Sequence, residues 1–271
     1  MFPPEWHLVH QESSLVSSCI FKGLTDLRLA NISSKGLFYT AFYNLAIGLE
    51  RLLKLTLILD HMQANDLTCP TSGYIRSLGH NLIRLLSECQ KRVDSIGIIC
   101  DLTFSGLTVK QEILQLLNDY SNGLRYHNLD ALVGRSSGTD PLSSWNGIIM
   151  KIYQDEVSDL KKRRIKLQAN FFTDLLQDNA IALHHDLDQK PLGLDGFMLI
   201  PAVIEAASPY VVCHLVEITN EINKLHFAIA NLVYLECNKQ GRSTPVIPFV
   251  HEYYARLFNS RQYLLRKKRW P

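Results

Sequence analysis

Arg125, Tyr126, His127, Asn128, Leu129 and Asp130 put a guanidinium, a phenol, an imidazole and a carboxylate side by side near the middle of the chain. A guanidinium can hold a phosphate through two parallel hydrogen bonds, and an imidazole moves a proton near neutral pH, so the set has the parts for phosphoryl chemistry. The same residues also suit a structural corner: Arg125 paired to Asp130 or to a carboxylate on an earlier helix, Tyr126 buried, Asn128 turning the chain. Positive charge is clustered as well. Residues 1–135 carry 12 basic and 12 acidic groups, and of the 16 basic residues after them nine sit in two blocks. Lys161, Lys162, Arg163, Arg164 and Lys166 form one, and Arg266, Lys267, Lys268 and Arg269 the other. Each phosphate neutralised by such a block adds salt-dependent affinity. Near the C-terminus, Tyr253, Tyr254, Tyr263 and Trp270 stand among the cations, a mixture suited to stacking on single-stranded RNA. Basic residues in a last helical turn equally complement the helix dipole, or form a solvated tail.

Three other patterns carry less. Gly134-Arg135-Ser136-Ser137-Gly138 has the letters of a nucleophile elbow, but no strand precedes it and Asp140-Pro141 follows, so a flexible loop is expected. His184, His185 and Asp186 are consecutive, and neighbouring side chains on extended backbone diverge, so a polar loop is expected there and not a metal site. The six cysteines, Cys19, Cys69, Cys89, Cys100, Cys213 and Cys237, are widely spaced with no Cys-x-x-Cys pair, which reads as reduced thiols of a cytoplasmic protein. No metal and no cofactor is called for.

The elements that must position these groups are helical. Phe38, Phe42, Leu45, Leu49, Leu52 and Leu59 fall at helical spacing and predict a buried stripe over about 35–61, capped by Ser33 or Ser34, with Glu50 and Lys54 as an i,i+4 ion pair. A second helix is expected near 74–92 behind Thr71 or Ser72. A third starts with Thr108 and Gln111 as a capping box and stops near Gly123. A long helical pattern runs from Ser143 or Ser144 through Leu160 and Leu167. His184 to Gly196 is a long connection. Ser208 and Pro209 read as a cap and first-turn proline for a helix of nearly 30 residues, over about 209–238, ended by Gly241 and Pro245. A last helix takes Tyr253, Leu257 and Leu264. Short apolar pieces at 14–21 and 93–104 are either strands or buried helix ends, which periodicity does not separate. The expected fold is an all-α antiparallel bundle over 35–160, after an N-terminal arm at 1–34 and with further long helices over 161–271 packed on the same core.

A net charge of +2 argues against a wholesale polyanion binder. The N-terminal residues lack the basic head and apolar core of a signal peptide, and no apolar run near the roughly 20 residues of a membrane span is apparent. Glu50-Arg51-Leu52-Leu53-Lys54 late in one helix, Gly79-His80-Asn81-Leu82 leading the next, and Arg125-Tyr126 after a third together resemble the HEPN superfamily, the higher eukaryotes and prokaryotes nucleotide-binding domain. The resemblance covers residues 35–160. It implies an up-and-down helical bundle that dimerises, and in many members metal-independent RNA cleavage within toxin-antitoxin and defence systems. RNA-cutting members carry a His after four to six residues beyond the Arg, where this chain has Asp130, Ala131 and Leu132. The carry-over therefore reaches Arg125 alone, and either His127 substitutes or the domain does not cut.

Two functions follow as expectations. The first is an RNA-acting protein of a bacterial defence or toxin module, in which Arg125 clamps the phosphate, His127 moves the proton, Tyr126 and Asp130 complete the site, and the two basic blocks hold the backbone. RNA is its expected partner, with a homodimer pairing two Arg125 corners or a protein encoded alongside. The second is a non-catalytic helical scaffold, with residues 125–130 as a buried polar corner.

Overall fold

A computed structural model of the chain describes residues 1–135 and 138–271, and over them the fold is all-α. The helices are α1 (Pro4–Leu29), α2 (Gly36–Ala64), α3 (Ser72–Ser77), α4 (Leu82–Ile96), α5 (Thr108–Asn122), α6 (His127–Leu132), α7 (Pro141–Glu156), α8 (Asp159–Leu176), α9 (Leu194–Lys239), α10 (His251–Tyr254) and α11 (Arg261–Arg266). Among the described residues the sole β-type pairing is an isolated bridge between His185 and Pro191. Of the two readings left open for the short apolar pieces, the helical one holds: 14–21 lies inside α1, and 93–104 is the end of α4 followed by a loop.

Helix α1 buries Val9, Val16, Ile20, Leu24 and Leu27 against α2, with Ser13 and Ser17 filling gaps in the stripe. The two run antiparallel at close range. A methyl group added at Gly23 would stand 2.5 Å from Leu45 Cγ, and one at Gly48 would stand 2.8 Å from Ile20 Cγ1. Absent side chains at those two positions are what lets the backbones approach.

The α2 stripe packs on α9, which buries Val211, Leu215, Ile218, Ile222, Leu225 and Ile229. Asn31 reaches the Pro201 carbonyl at one end and Thr56 meets His226 further along, so α2 and α9 run parallel. Helix α8 lies along α9, and the connection over 177–193 passes the start of α2, where Lys35 Nζ donates to the Asp186 carbonyl. Helices α4, α5 and α7 complete the bundle. Phe42 anchors that side by edge-on contacts to Tyr120 at 5.6 Å and Trp145 at 5.1 Å between ring centroids.

Helix α9 is 46 residues long and passes straight through Pro201 and Pro209. Ser208 is therefore no cap; its hydroxyl donates to the Leu27 carbonyl at 3.0 Å. Packing on both sides outweighs the one backbone bond each proline removes. Within α9 an 18-residue stretch has a mean hydropathy of 1.6, enough by length and composition to cross a membrane, although 61% of it is buried inside the protein. It is the bundle's central helix.

Other expected boundaries shift. Lys35, not Ser33 or Ser34, precedes α2, because Asn31 and Ser34 cap a short 3-10 turn instead. The second helix is two pieces: Thr71 caps α3 by accepting from Tyr74 N, and Asn81 caps α4 by accepting from Arg84 N. No side chain caps α5, and Gln111 donates to the Thr103 carbonyl. The pattern from 143 to 167 breaks at Val157, where Ser158 caps α8, while Asp140 caps α7. The last helix is likewise broken, into α10, a 3-10 turn and α11.

Candidate functional site

The Arg125 corner hangs from the end of α5. Gly123 ends that helix at φ +156°, ψ −33°, a conformation open to glycine and strained for other residues, and a 3-10 turn, Leu124–Tyr126, leads directly into α6. All four expected catalytic residues thereby fall within one turn and a half of chain. The Arg125 guanidinium lies 4.9 Å from the Tyr126 ring centroid, and both side chains are exposed. Among the described residues Arg125 takes part in no ion pair. His127 opens α6 and is half-buried, as is Asp130 one turn later. Asn128 donates from Nδ2 to Tyr39 Oη at 3.1 Å, and Tyr120 Oη donates to the Tyr39 carbonyl at 3.2 Å. Burial raises the Tyr39 phenol, so it stays neutral and fixes α6 to the start of α2.

Among the described residues the corner is only partly packed: His127 and Asp130 are half-buried, while Arg125 and Tyr126 are exposed. Tyr126 is 50% exposed, and among the described residues no carboxylate pairs with Arg125. Leu129, Leu132 and Val133 stand exposed beside the pair, so the corner is an apolar and cationic projection. The glycine-rich loop that follows lies partly outside the described residues, at Ser136 and Ser137.

The basic blocks differ from each other. On α8, Lys161, Arg163, Arg164 and Lys166 are exposed, whereas Lys162 donates to the Gln154 carbonyl at 2.6 Å and pairs with Asp159 at 3.3 Å. At the C-terminus the chain is packed, not trailing. Trp270 is 5% exposed and its backbone N–H donates to Thr25 Oγ1 at 2.9 Å, while Arg28 Nε donates to the Lys267 carbonyl at 3.0 Å. Lys267 sits 5.4 Å from the Tyr263 ring and 5.3 Å from the Trp270 ring, and burial, then the neighbouring Arg256 charge, lowers its pKa. Arg266, Lys268 and Arg269 alone of that block face solvent freely. They share an end of the bundle with Arg125: Tyr39 receives Asn128, and the next residue, Thr40, donates to Asp26 on the α1 turn that carries Arg28.

The other residues of the resemblance gather elsewhere. Glu50 accepts from Lys54 at 2.7 Å, as its spacing predicted, and is also bonded to His80 Nδ1 at 2.9 Å. Arg51 pairs with Glu12 of α1 at 2.7 Å. They rim a groove of about 580 Å³ between α1 and α2, floored by Leu55, Ile58 and Met62. Eleven residues separate Tyr39 from Glu50, about 16 Å along α2, so the Arg125 corner and this groove are separate places. Sequence reasoning missed the His80 and Glu12 contacts, which join different helices and leave no periodic signal. It also missed the network in which Glu156 holds His214 and Arg261 while Glu217 holds Arg261 at 2.9 Å and Lys110 at 2.8 Å. Burial raises the Glu156 carboxyl, and the His214 and Arg261 contacts more than reverse it, leaving it below the usual range.

His184 stacks on Phe197 at 4.8 Å, and Asp186 Oδ1 accepts from the backbone of Asp188 and Lys190. Among the described residues no group of three His, Cys, Asp or Glu side chains is arranged to hold a metal. No protein-family model matches the chain, and no curated protein or solved structure matches it.

Proposed function

We propose that the chain is a HEPN-like RNA-acting protein whose Arg125 corner binds the RNA backbone. The observation that carries this reading is the state of Arg125: exposed, stacked on an aromatic ring and, among the described residues, matched by no carboxylate. A guanidinium left in that state offers all its donors to an incoming phosphate, and the adjacent phenol offers a face to a base. Arg266, Lys268 and Arg269 extend positive charge along the same end of the bundle, and Lys161, Arg163 and Lys166 supply a second cationic surface.

In the cutting version, Arg125 stabilises charge developing on the scissile phosphate while His127 takes or returns the proton as the 2′-hydroxyl attacks. A defence or toxin role follows from such chemistry, since unguided RNA cleavage halts growth. The test incubates purified protein with tRNA and mRNA. Cleavage is expected, with Arg125→Ala and His127→Ala each slowing it by about 100-fold or more. Arg125→Ala is expected to leave the thermal midpoint unchanged, because exposed substitutions stay within about 0.5 kcal/mol. Intact RNA that still binds, with binding lost in Arg125→Ala, leaves a non-cleaving RNA binder. RNA bound equally well by wild type and Arg125→Ala sinks the reading.

A further inference from the structure

Helix α8 has two apolar faces and the protein covers only one. Ile165 and Ala169 are pressed toward α9, where Leu199, Ala202 and Ala206 meet them or their neighbours. On the opposite side Leu160, Leu167, Phe171 and Leu175 are 80%, 70%, 62% and 61% exposed. At 3.6 residues per turn, Leu160, Leu167 and Phe171 point within about 40° of one another and about 180° away from Ala169. A surface helix of this kind normally presents polar groups there. Past the helix end Ile181 and Leu183 are exposed as well.

We propose that this outer face of α8 binds the same face of a second copy of the chain, the two helices lying antiparallel. Positions 160, 164, 167, 171 and 174 are spaced four, three, four and three apart, the spacing of a coiled-coil seam. They hold Leu, Arg, Leu, Phe and Asp. A two-fold axis at position 169 sets Leu167 against Phe171 of the partner subunit, and Arg164 against Asp174 of the partner subunit, each contact occurring twice. Neither Arg164 nor Asp174 has an ion pair within its own chain among the described residues.

Charge along the segment fixes the direction. On α8 the seam carries Arg164 in its first half and Asp174 in its second, with Asp178 just past the helix end, and 167–176 contain no Lys or Arg. Antiparallel pairing brings the basic half of each copy onto the acidic half of the other and opposes the helix dipoles. Parallel pairing would set like charges together. A uniformly anionic surface would be met by cations at one end of the stripe only, which is why a second copy fits this face better than a lipid surface. The interface is separate from the Arg125 corner and does not depend on RNA chemistry.

Sedimentation equilibrium of the full chain at micromolar concentration tests the proposal. A dimer mass is expected, and Leu167→Glu with Phe171→Glu should give a monomer whose far-UV circular dichroism is unchanged, because both side chains lie outside the core. Arg164→Asp alone and Asp174→Arg alone should each weaken the dimer by about tenfold or more through repeated like-charge contacts, and the two together should restore it. A monomeric wild type overturns the proposal, as does a dimer indifferent to the double glutamate variant. So does a charge-swapped pair no stronger than either single change. Cosedimentation of monomer with phosphatidylserine vesicles, lost in the double glutamate variant, would overturn it too and assign the face to membrane.

Discussion

His226 is fully buried on α9, and among the described residues Thr56 alone hydrogen-bonds its ring. Thr56 already donates its hydroxyl proton to the Leu52 carbonyl at 2.8 Å, so at 3.0 Å its oxygen accepts from His226 Nδ1, and the imidazole is the neutral Nδ1–H form. Among the described residues Nε2 has no hydrogen-bond partner, and neither has the buried Asn223 side chain one turn earlier. Burial, then the nearby His251, pushes the His226 pKa down to about 3. The folded state therefore refuses a proton that the unfolded chain accepts from about pH 6.5 downward. Stability from this residue is complete above pH 6.5 and is lost progressively as pH falls toward 3. Thermal midpoints taken between pH 7 and pH 4 should fall in the wild type and fall less in His226→Leu. Parallel curves would place the acid sensitivity in another group.

At the scale of elements, the α1–α2 contact and the C-terminal tail make opposite use of small and large side chains. Gly23→Ala would set a methyl 2.5 Å from Leu45 Cγ and 3.2 Å from the Ala41 carbonyl, a branch point and a backbone atom that cannot swing aside. Overpacking costs about 1–3 kcal/mol, and alanine's helix preference returns at most about 1 kcal/mol. The variant should unfold at lower urea concentration than wild type; an unchanged midpoint would mean the two helices separate easily. The tail is held by Trp270 under α1 and by the bonds to Thr25 and Arg28. Deleting Arg266 to Pro271 should therefore destabilise the fold by about 3–5 kcal/mol, the range for removing a buried tryptophan. Lys268→Ala with Arg269→Ala, which touches only exposed groups, should leave stability unchanged. If the truncated chain melts like the full one, the tail is not part of the core.

Across the whole molecule, the distribution of charge separates binding from folding. In the proposed reading the exposed cations at the Arg125 end meet an RNA backbone, whereas Lys110 and Arg261, paired with Glu217 and Glu156, tie helices together. If Arg125 contacts a phosphate, RNA affinity should fall log-linearly with salt, and Arg125→Ala should reduce the slope by about one phosphate. Arg261→Ala should leave that slope alone and lower the melting temperature instead, since it bridges Glu156 and Glu217 at 2.5 and 2.9 Å. Filter binding across a salt series reads both, and equal slopes for wild type and Arg125→Ala would remove Arg125 from the interface.

Helical period is a local property, and so the amino-acid sequence by itself determined the all-α class, the buried faces of α2 and α9, the Glu50–Lys54 pair and the stop at Gly123. Local signals misled where packing outweighed them. Ser13 and Ser17 interrupt the stripe of α1 and hid it, and Pro209 looked like a beginning although α9 runs through it, because buried contacts on several sides outweigh one missing backbone bond. Whether Arg125 would be an exposed cation or half of a buried pair lay beyond any pattern in the chain. That choice rests on which helices stand near residue 125 once folded, as do the pairing of Glu50 with His80 and the seat of Trp270. Long-range contacts of this kind join residues with no fixed spacing, and only the packing of helix on helix decides them.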